Sequence, residues 1–244
     1  MIDGAGSGSP SASGAAGSTR GAAGSTWAIL VAAGAGTRLG ADRPKAFVAL
    51  AGRPLLAESL DRLDRSDWID AIVIAAPPAW EEPTILLTEE LAASKVSAVV
   101  TGGETRAASV CAALAEVADH AIAIVVHDAA RPLVDDKILE RVLVPLAEGV
   151  EGVVPGLPIA DTVKAVSGGL VSATLDREGL VTVQTPQAFR GDALRAAYAG
   201  DLAGATDCAS LVERAGGRVR VVPGDPRLLK VTSRADIALV ESWL

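Results

Sequence analysis

Arg38 and Lys45 stand seven residues apart in the stretch VAAGAGTRLGADRPK (residues 31–45), among Gly34, Gly36 and Gly40. A short apolar run, WAILVAA, leads directly into it. Glycines let backbone N–H groups approach an anion closely. A guanidinium can fork onto two phosphate oxygens, and an ammonium acts as a compact point charge. Pro44 stiffens the approach to Lys45. One such cation reads most simply as a solvated loop residue, but two of them bracketing a glycine turn after a first strand point to phosphate binding. The spacing excludes the two commonest phosphate loops. The glycines run G-x-G-x-x-x-G, with Leu39 where a dinucleotide fingerprint needs its third glycine, and the second strand ends Ala75–Ala76–Pro77–Pro78 where an acidic residue belongs. No window supplies G-x-x-x-x-G-K-[ST].

Other side-chain chemistry is sparse. Cys111 and Cys208 form no C-x-x-C pair, and two histidines, His120 and His127, are too few for a histidine metal cluster. No serine–histidine–aspartate set and no cysteine–histidine pair suggests a side-chain nucleophile. His127 and Asp128 close an apolar run, the position at which ligands of open α/β sheets bind. His127 itself reads as a packed strand-end residue and His120 as a surface one. The formal charge of −8 and a pI of about 4.8 argue against a nucleic-acid partner or an anionic membrane surface, which want a basic face. No apolar run approaches the roughly 20 residues of a membrane helix. Unpaired cysteines fit a reducing cytoplasm.

These residues must be positioned by an α/β scaffold. Apolar, β-branched runs at 27–33, 71–76, 96–101, 122–127 and 150–155 are continuous, as expected of strands buried on both faces. Helix-period segments lie at 54–63, 105–118 and 135–148, where Pro145 predicts a kink or early stop. The alternation gives an open, mostly parallel, doubly wound sheet of Rossmann-like type. The rhythm breaks after Pro155. Strand-like pieces at 162–166 and 170–175, joined by Ser167–Gly168–Gly169, predict an inserted β-hairpin arm. Such an arm has little core of its own, so a second subunit is expected to cover it. The sheet resumes at 218–222, and Ser233 with Asp236 predicts a capping box for a last helix. Asp207 reads as a helix N-cap. Trp27, Trp68, Trp80 and Trp243 are assigned to packing. Residues 1–25, almost all Gly, Ala, Ser and Thr, read as a disordered extension, leaving one domain at 26–244 with the arm at about 157–183.

The glycine loop resembles the signature of nucleotidyltransferases that join a nucleoside triphosphate to a phosphorylated sugar or sugar alcohol. It is followed, in order, by GGETRAASVCAAL (102–114), VVHDAARPLV (125–134), ADTVKAV (160–166), LDREGLVTVQTPQAF (175–189), ATDCASLVE (205–213) and LKVTSRADIALVE (229–241). As a set these resemble the 2-C-methyl-D-erythritol 4-phosphate cytidylyltransferase family. The resemblance implies a nucleotidyltransferase fold and a reaction between CTP and methylerythritol 4-phosphate that releases pyrophosphate. It implies Arg38 and Lys45 as transition-state stabilisers, with backbone groups of Ala32, Ala33 and Gly34 along the triphosphate. Gly102, Gly103 and Ser109 would form the cytosine pocket. Asp128 and Ala129 would serve the ribose side, with Asp128 also carrying magnesium, and Arg131 would hold anionic substrate. Thr162, Arg177, Thr185 and Lys230 would serve the acceptor phosphate, Arg177 from the arm of a neighbouring subunit in a homodimer, and Thr206, at a helix start, would also bind substrate. Cys208 departs from the family pattern, which often has an acidic residue there. A ribitol-5-phosphate cytidylyltransferase and a non-catalytic nucleotide-binding module are the rival readings. A fused second enzyme is not expected, as no further domain follows Leu244.

Overall fold

The computed structural model describes residues 24–34, 36 and 42–244. The extension at 1–25 falls almost wholly outside the described residues, and Arg38 lies outside them as well. The chain opens with β1 (Ser25–Val31), passes a 3-10 turn at Lys45–Phe47 and a small ribbon, β2 (Ala49–Leu50) with β3 (Arg53–Pro54), and enters α1 (Leu55–Arg65). Then come β4 (Ala71–Ala76), α2 (Glu81–Glu90), β5 (Val96–Thr101), α3 (Arg106–Leu114), β6 (Ala121–Asp128) and α4 (Asp136–Leu143). Pro145 has the effect expected of a residue without an N–H: the α-helical pattern gives way to a 3-10 turn at Val144–Glu148.

β5, β4, β1 and β6 lie side by side, all parallel. Register brings Val31 opposite both Ala75 and Asp128, and Ala76 opposite Thr101, so four strands end along one edge. The segments at 32–34, 77–80, 102–105 and 129–131 leave from that edge. Successive side chains point to opposite faces of the sheet. Leu30, Ile72, Ile74 and Val125 pack with Leu56, Leu60 and Ile138 on one face. Ile29, Val73, Ile124 and Val126 pack with Val110, Phe189 and Leu194 on the other. Burial on both sides is why the sequence shows unbroken apolar runs.

Beyond β6 the sheet is no longer purely parallel. β7 (Gly152–Pro158) leads into the arm, β8 (Val163–Ser167) and β9 (Leu170–Leu175), and the chain returns through β10 (Val181–Val183) and β11 (Gln187–Arg190). β11 inserts antiparallel between β6 and β7. After α5 (Gly191–Tyr198) and α6 (Cys208–Arg214), β12 (Val219–Pro223) runs parallel to β7. The last helix, α7 (Arg234–Glu241), begins with the expected Ser233–Asp236 capping box and packs Val240 beside Leu50, Leu55 and Val231.

The arm is a two-stranded ribbon whose turn residues, Gly168 and Gly169, have φ of 58° and 81°. Positive φ at both positions is the geometry that favours glycine in a tight hairpin. Every residue of β9 is exposed, Leu170 to 76%. The four tryptophans pack as expected: Trp27, Trp68 and Trp243 lie against the three apolar clusters, and Trp80 meets Phe47 with ring centroids 4.6 Å apart.

Candidate active site

Two cavities meet at the carboxyl edge of the sheet. The first, about 380 Å³, is lined by Ala32, Ala33 and Gly34 after β1, by Lys45, and by Gly103 and Ser109 around the start of α3. The second, about 480 Å³, is lined by Arg131, Thr185, Gln187 and Thr206 among others. Asp128, Arg106 and Lys230 belong to both.

Asp128 is the hinge of the arrangement. It ends β6, and its N–H donates to Thr185 Oγ1 at 3.0 Å. Its Oδ1 accepts from Arg106 Nε at 2.9 Å and its Oδ2 from Lys230 Nζ at 2.6 Å. Burial alone would raise the pKa of this carboxyl, but Arg106, and after it Lys230, hold it well below the usual carboxylate range. Asp128 is therefore ionised at neutral pH, and its single negative charge is flanked by two positive ones. Arg106 did not stand out in the sequence. It opens α3 behind an N-cap made by Thr105, whose side chain accepts from Ala108 N–H at 3.0 Å. Its Nη1 donates to Cys208 Sγ at 3.2 Å, with Tyr198 OH a further 3.2 Å from that sulfur. Burial pushes the Cys208 thiol up, so it meets Arg106 as a neutral partner.

The first cavity owes its shape to close backbone packing. Gly36 has φ of 66°, and a Cβ there would lie 2.5 Å from Lys45 Cβ, so a side chain would displace the lysine. Gly102 donates to Ala76 O at 2.8 Å, and a Cβ on it would sit 2.2 Å from Ala33 Cβ. It thus backs the cavity without lining it. Ser109 Oγ accepts from Gly103 N–H at 3.1 Å and lies 2.9 Å from Thr105 O, which fixes the turn before α3. Ala32 spends its N–H on Ala75 O at 2.9 Å, and Ala129 spends its own on Val31 O at 3.0 Å.

Around the second cavity, Arg131 Nη1 donates to Leu228 O at 2.6 Å. Asp207 is the N-cap expected: Oδ1 accepts from Ser210 N–H at 2.9 Å, while Oδ2 accepts from Gln187 Nε2 at 2.8 Å. Thr162 and Arg177 stay on the arm, exposed and outside both cavities, with Arg177 Nη1 donating to Ala160 O. The described residues contain no group of three or more His, Cys, Asp or Glu side chains able to hold a metal ion.

A family model described as 2-C-methyl-D-erythritol 4-phosphate cytidylyltransferase (IspD) matches residues 26–244. The chain is 45% identical over 222 residues to the 2-C-methyl-D-erythritol 4-phosphate cytidylyltransferase of Nocardia farcinica, covering 91% of this chain and 94% of that protein. It is 46% identical to the protein of the same name from Saccharopolyspora erythraea, over 89% and 98% of the two chains. Among solved structures, the Francisella tularensis enzyme of that name superposes with a TM-score of 0.77 at 27% identity, over 90% of this chain and all of the other (100%). The Thermus thermophilus enzyme gives 0.71 at 32% identity, over 88% and 96%.

His127 supplies a test of the buried wall. It is fully buried, with Nε2 3.0 Å from Arg131 O and Nδ1 3.2 Å from Thr185 Oγ1. Burial is the main reason its pKa falls to about 4 from an ordinary 6.5. Between those values the unfolded chain binds a proton that the folded chain refuses, so stability falls as pH drops from 6.5 toward 4. The loss attributable to this residue is roughly 3 kcal/mol. Denaturant titrations of wild type and His127→Asn across that window should show a shallower decline in the variant; parallel declines would refute the assignment.

Proposed function

The chain belongs to the 2-C-methyl-D-erythritol 4-phosphate cytidylyltransferase family, and from that premise we propose how its two cavities share the reaction. The enzyme joins CTP and 2-C-methyl-D-erythritol 4-phosphate, giving 4-diphosphocytidyl-2-C-methyl-D-erythritol and pyrophosphate for isoprenoid precursors. The attacking phosphate oxygen is already ionised, so neither a base nor a side-chain nucleophile is needed. What the reaction requires is that two anions be held in line while negative charge grows on the α-phosphoryl oxygens and the leaving pyrophosphate.

In our reading CTP occupies the first cavity and the acceptor the second. The observation that carries this is the wall they share: Asp128, Arg106 and Lys230 line both, and the wall has two cations for one carboxylate. Lys45, with Arg38 from the glycine loop, neutralises charge at the α-phosphorus and the leaving group. With the Ala32 N–H committed to the sheet, main-chain contact to the triphosphate falls to Ala33 and Gly34. Gly103 and Ser109, with Gly102 behind them, form the cytosine edge, and Asp128 and Ala129 face the ribose. Arg131, Thr185, Thr206 and Lys230 receive the acceptor phosphate.

Magnesium fits this donor set. It commonly takes one or two carboxylates and completes its shell with phosphate oxygens and water, and Asp128 is the carboxylate at the junction. Both of its oxygens already receive cations, so a metal ion would share one of them. Lys230, 40% exposed against 22% for Arg106, is the partner able to yield. When bound, the ion would add positive charge at the phosphates.

The exposed arm supports a homodimer in which a second copy covers Leu170, Val171 and their neighbours and receives Thr162 and Arg177. Two free cysteines, one of them exposed, fit a reducing cytoplasm. No described helix is long and apolar enough to cross a membrane.

Pyrophosphate release should be measured with CTP and either methylerythritol 4-phosphate or ribitol 5-phosphate, with and without magnesium. Turnover is expected with the first acceptor and only when magnesium is present; turnover confined to ribitol phosphate would overturn the acceptor. For the arm, Lys45→Ala should lower kcat by about 10²–10³ on its own. Mixed with inactive Arg177→Ala under conditions of verified subunit exchange, it should regain activity, because the hybrid dimer holds one intact site. No recovery would mean that the subunits do not share sites.

A further inference from the structure

A polyol phosphate presents two kinds of group to its site. The phosphate needs cations, which Arg106, Arg131 and Lys230 supply. Each hydroxyl needs an acceptor, and most acceptors in the wall of the second cavity are already engaged. Asp128 receives Arg106 and Lys230. Asp207 receives Ser210 N–H and Gln187 Nε2. Gln184 Oε1 accepts from Asp225 N–H at 3.0 Å, and Thr185 Oγ1 from Asp128 N–H. Glu213, also on that wall, is exposed.

Gln187 Oε1 is different. The residue lines the second cavity and is only 1% exposed, yet this oxygen has no hydrogen-bond partner. The assignment of the amide is not arbitrary. Nε2 donates to the Asp207 carboxylate, and the flipped amide would set two acceptors against each other. A buried acceptor left unmet is costly and unusual in a folded protein. Two other buried atoms without partners, Arg106 Nη2 and Arg131 Nε, belong to residues of the same wall.

We propose that Gln187 Oε1 accepts a hydroxyl of the acceptor polyol and makes Gln187 a specificity-determining residue of the second cavity. This rests on the reading of that cavity as the acceptor site. Asp207 is then a positioning residue: it caps α6 with one oxygen and orients the Gln187 amide with the other. The glutamine of TPQAF thereby acquires a role beyond its strand, in which it pairs opposite Val126.

Gln187→Met keeps the length and volume of the side chain and removes the acceptor. Steady-state kinetics on the full chain should use methylerythritol 4-phosphate and each of its singly deoxygenated analogues. The variant should lose about 10–100-fold in kcat/KM for the full acceptor. Its KM for CTP should be unchanged, and the loss should vanish for the analogue lacking the recognised hydroxyl. An equal loss with every acceptor, or none, overturns the proposal. Asp207→Asn retains a good helix cap but lets the Gln187 amide turn; it should show the same acceptor-selective loss in smaller degree, and it carries the test if the methionine variant does not fold. Arg131→Ala separates the two levels. If it alters acceptor kinetics while Gln187→Met is silent, only the Gln187 assignment fails; if it leaves acceptor kinetics untouched, the cavity reading fails and the proposal with it.

Discussion

The site depends on one buried carboxylate and the two cations that hold it. Asp128 is 6% exposed. A charge so far from water is tolerable only when paired and hydrogen-bonded. Arg106 and Lys230 supply the pairing, and Thr185 receives the neighbouring N–H. Each partner comes from a different part of the chain: the end of β6, the start of α3, and the segment before α7. That segment is fixed by Val231 N–H donating to Ala130 O at 2.8 Å, and the Ser233–Asp236 box begins the helix immediately after it. The ion-pair cluster thus ties three elements into one wall, and it can form only when the parallel strands end in register.

The same wall resolves an apparent conflict in the composition. A chain with a formal charge of −8 must bring two phosphorylated substrates together. What matters is local placement: Arg106, Arg131, Lys230 and Lys45 stand along one edge of the sheet, facing the two cavities that Glu104, Asp128, Asp207 and Glu213 also line. Local charge in a partly enclosed cavity outweighs net charge at a distance because solvent and salt screen the latter. Glycine complements this by admitting close approach. The lack of a Cβ at Gly36 and Gly102 lets the Lys45 turn and the Ala33 strand end close on the first cavity.

Much of the fold was legible in the sequence because its physics is local or periodic. Unbroken apolar runs disclosed the parallel strands, Ser167–Gly168–Gly169 the arm, Pro145 a helix stop, and Ser233 with Asp236 a cap. Boundaries moved by two to four residues where tertiary bonds decide them: β1 ends at Val31, not Ala33, although Ala32 still bonds to Ala75. The helix expected at 105–118 ends at Leu114. β11 has four residues and takes its place only by pairing with β6 and β7, so no local pattern betrays it. Arg106 carried a faint signal. A cation in the first turn of a helix opposes the dipole and therefore wants a specific anion, but that anion lies 22 residues away, on another strand. Gln187 was visible only as part of a family motif, because its unmet oxygen exists only once Asp207 is beside it.

The most direct test of the shared wall is a crystal structure with CTP and magnesium bound. The triphosphate should run along Gly34 and Lys45, with its α-phosphorus turned toward the Asp128 cluster and the second cavity left clear for the acceptor. A nucleotide whose phosphates lie away from residues 34–45, or fill the second cavity, would contradict the account.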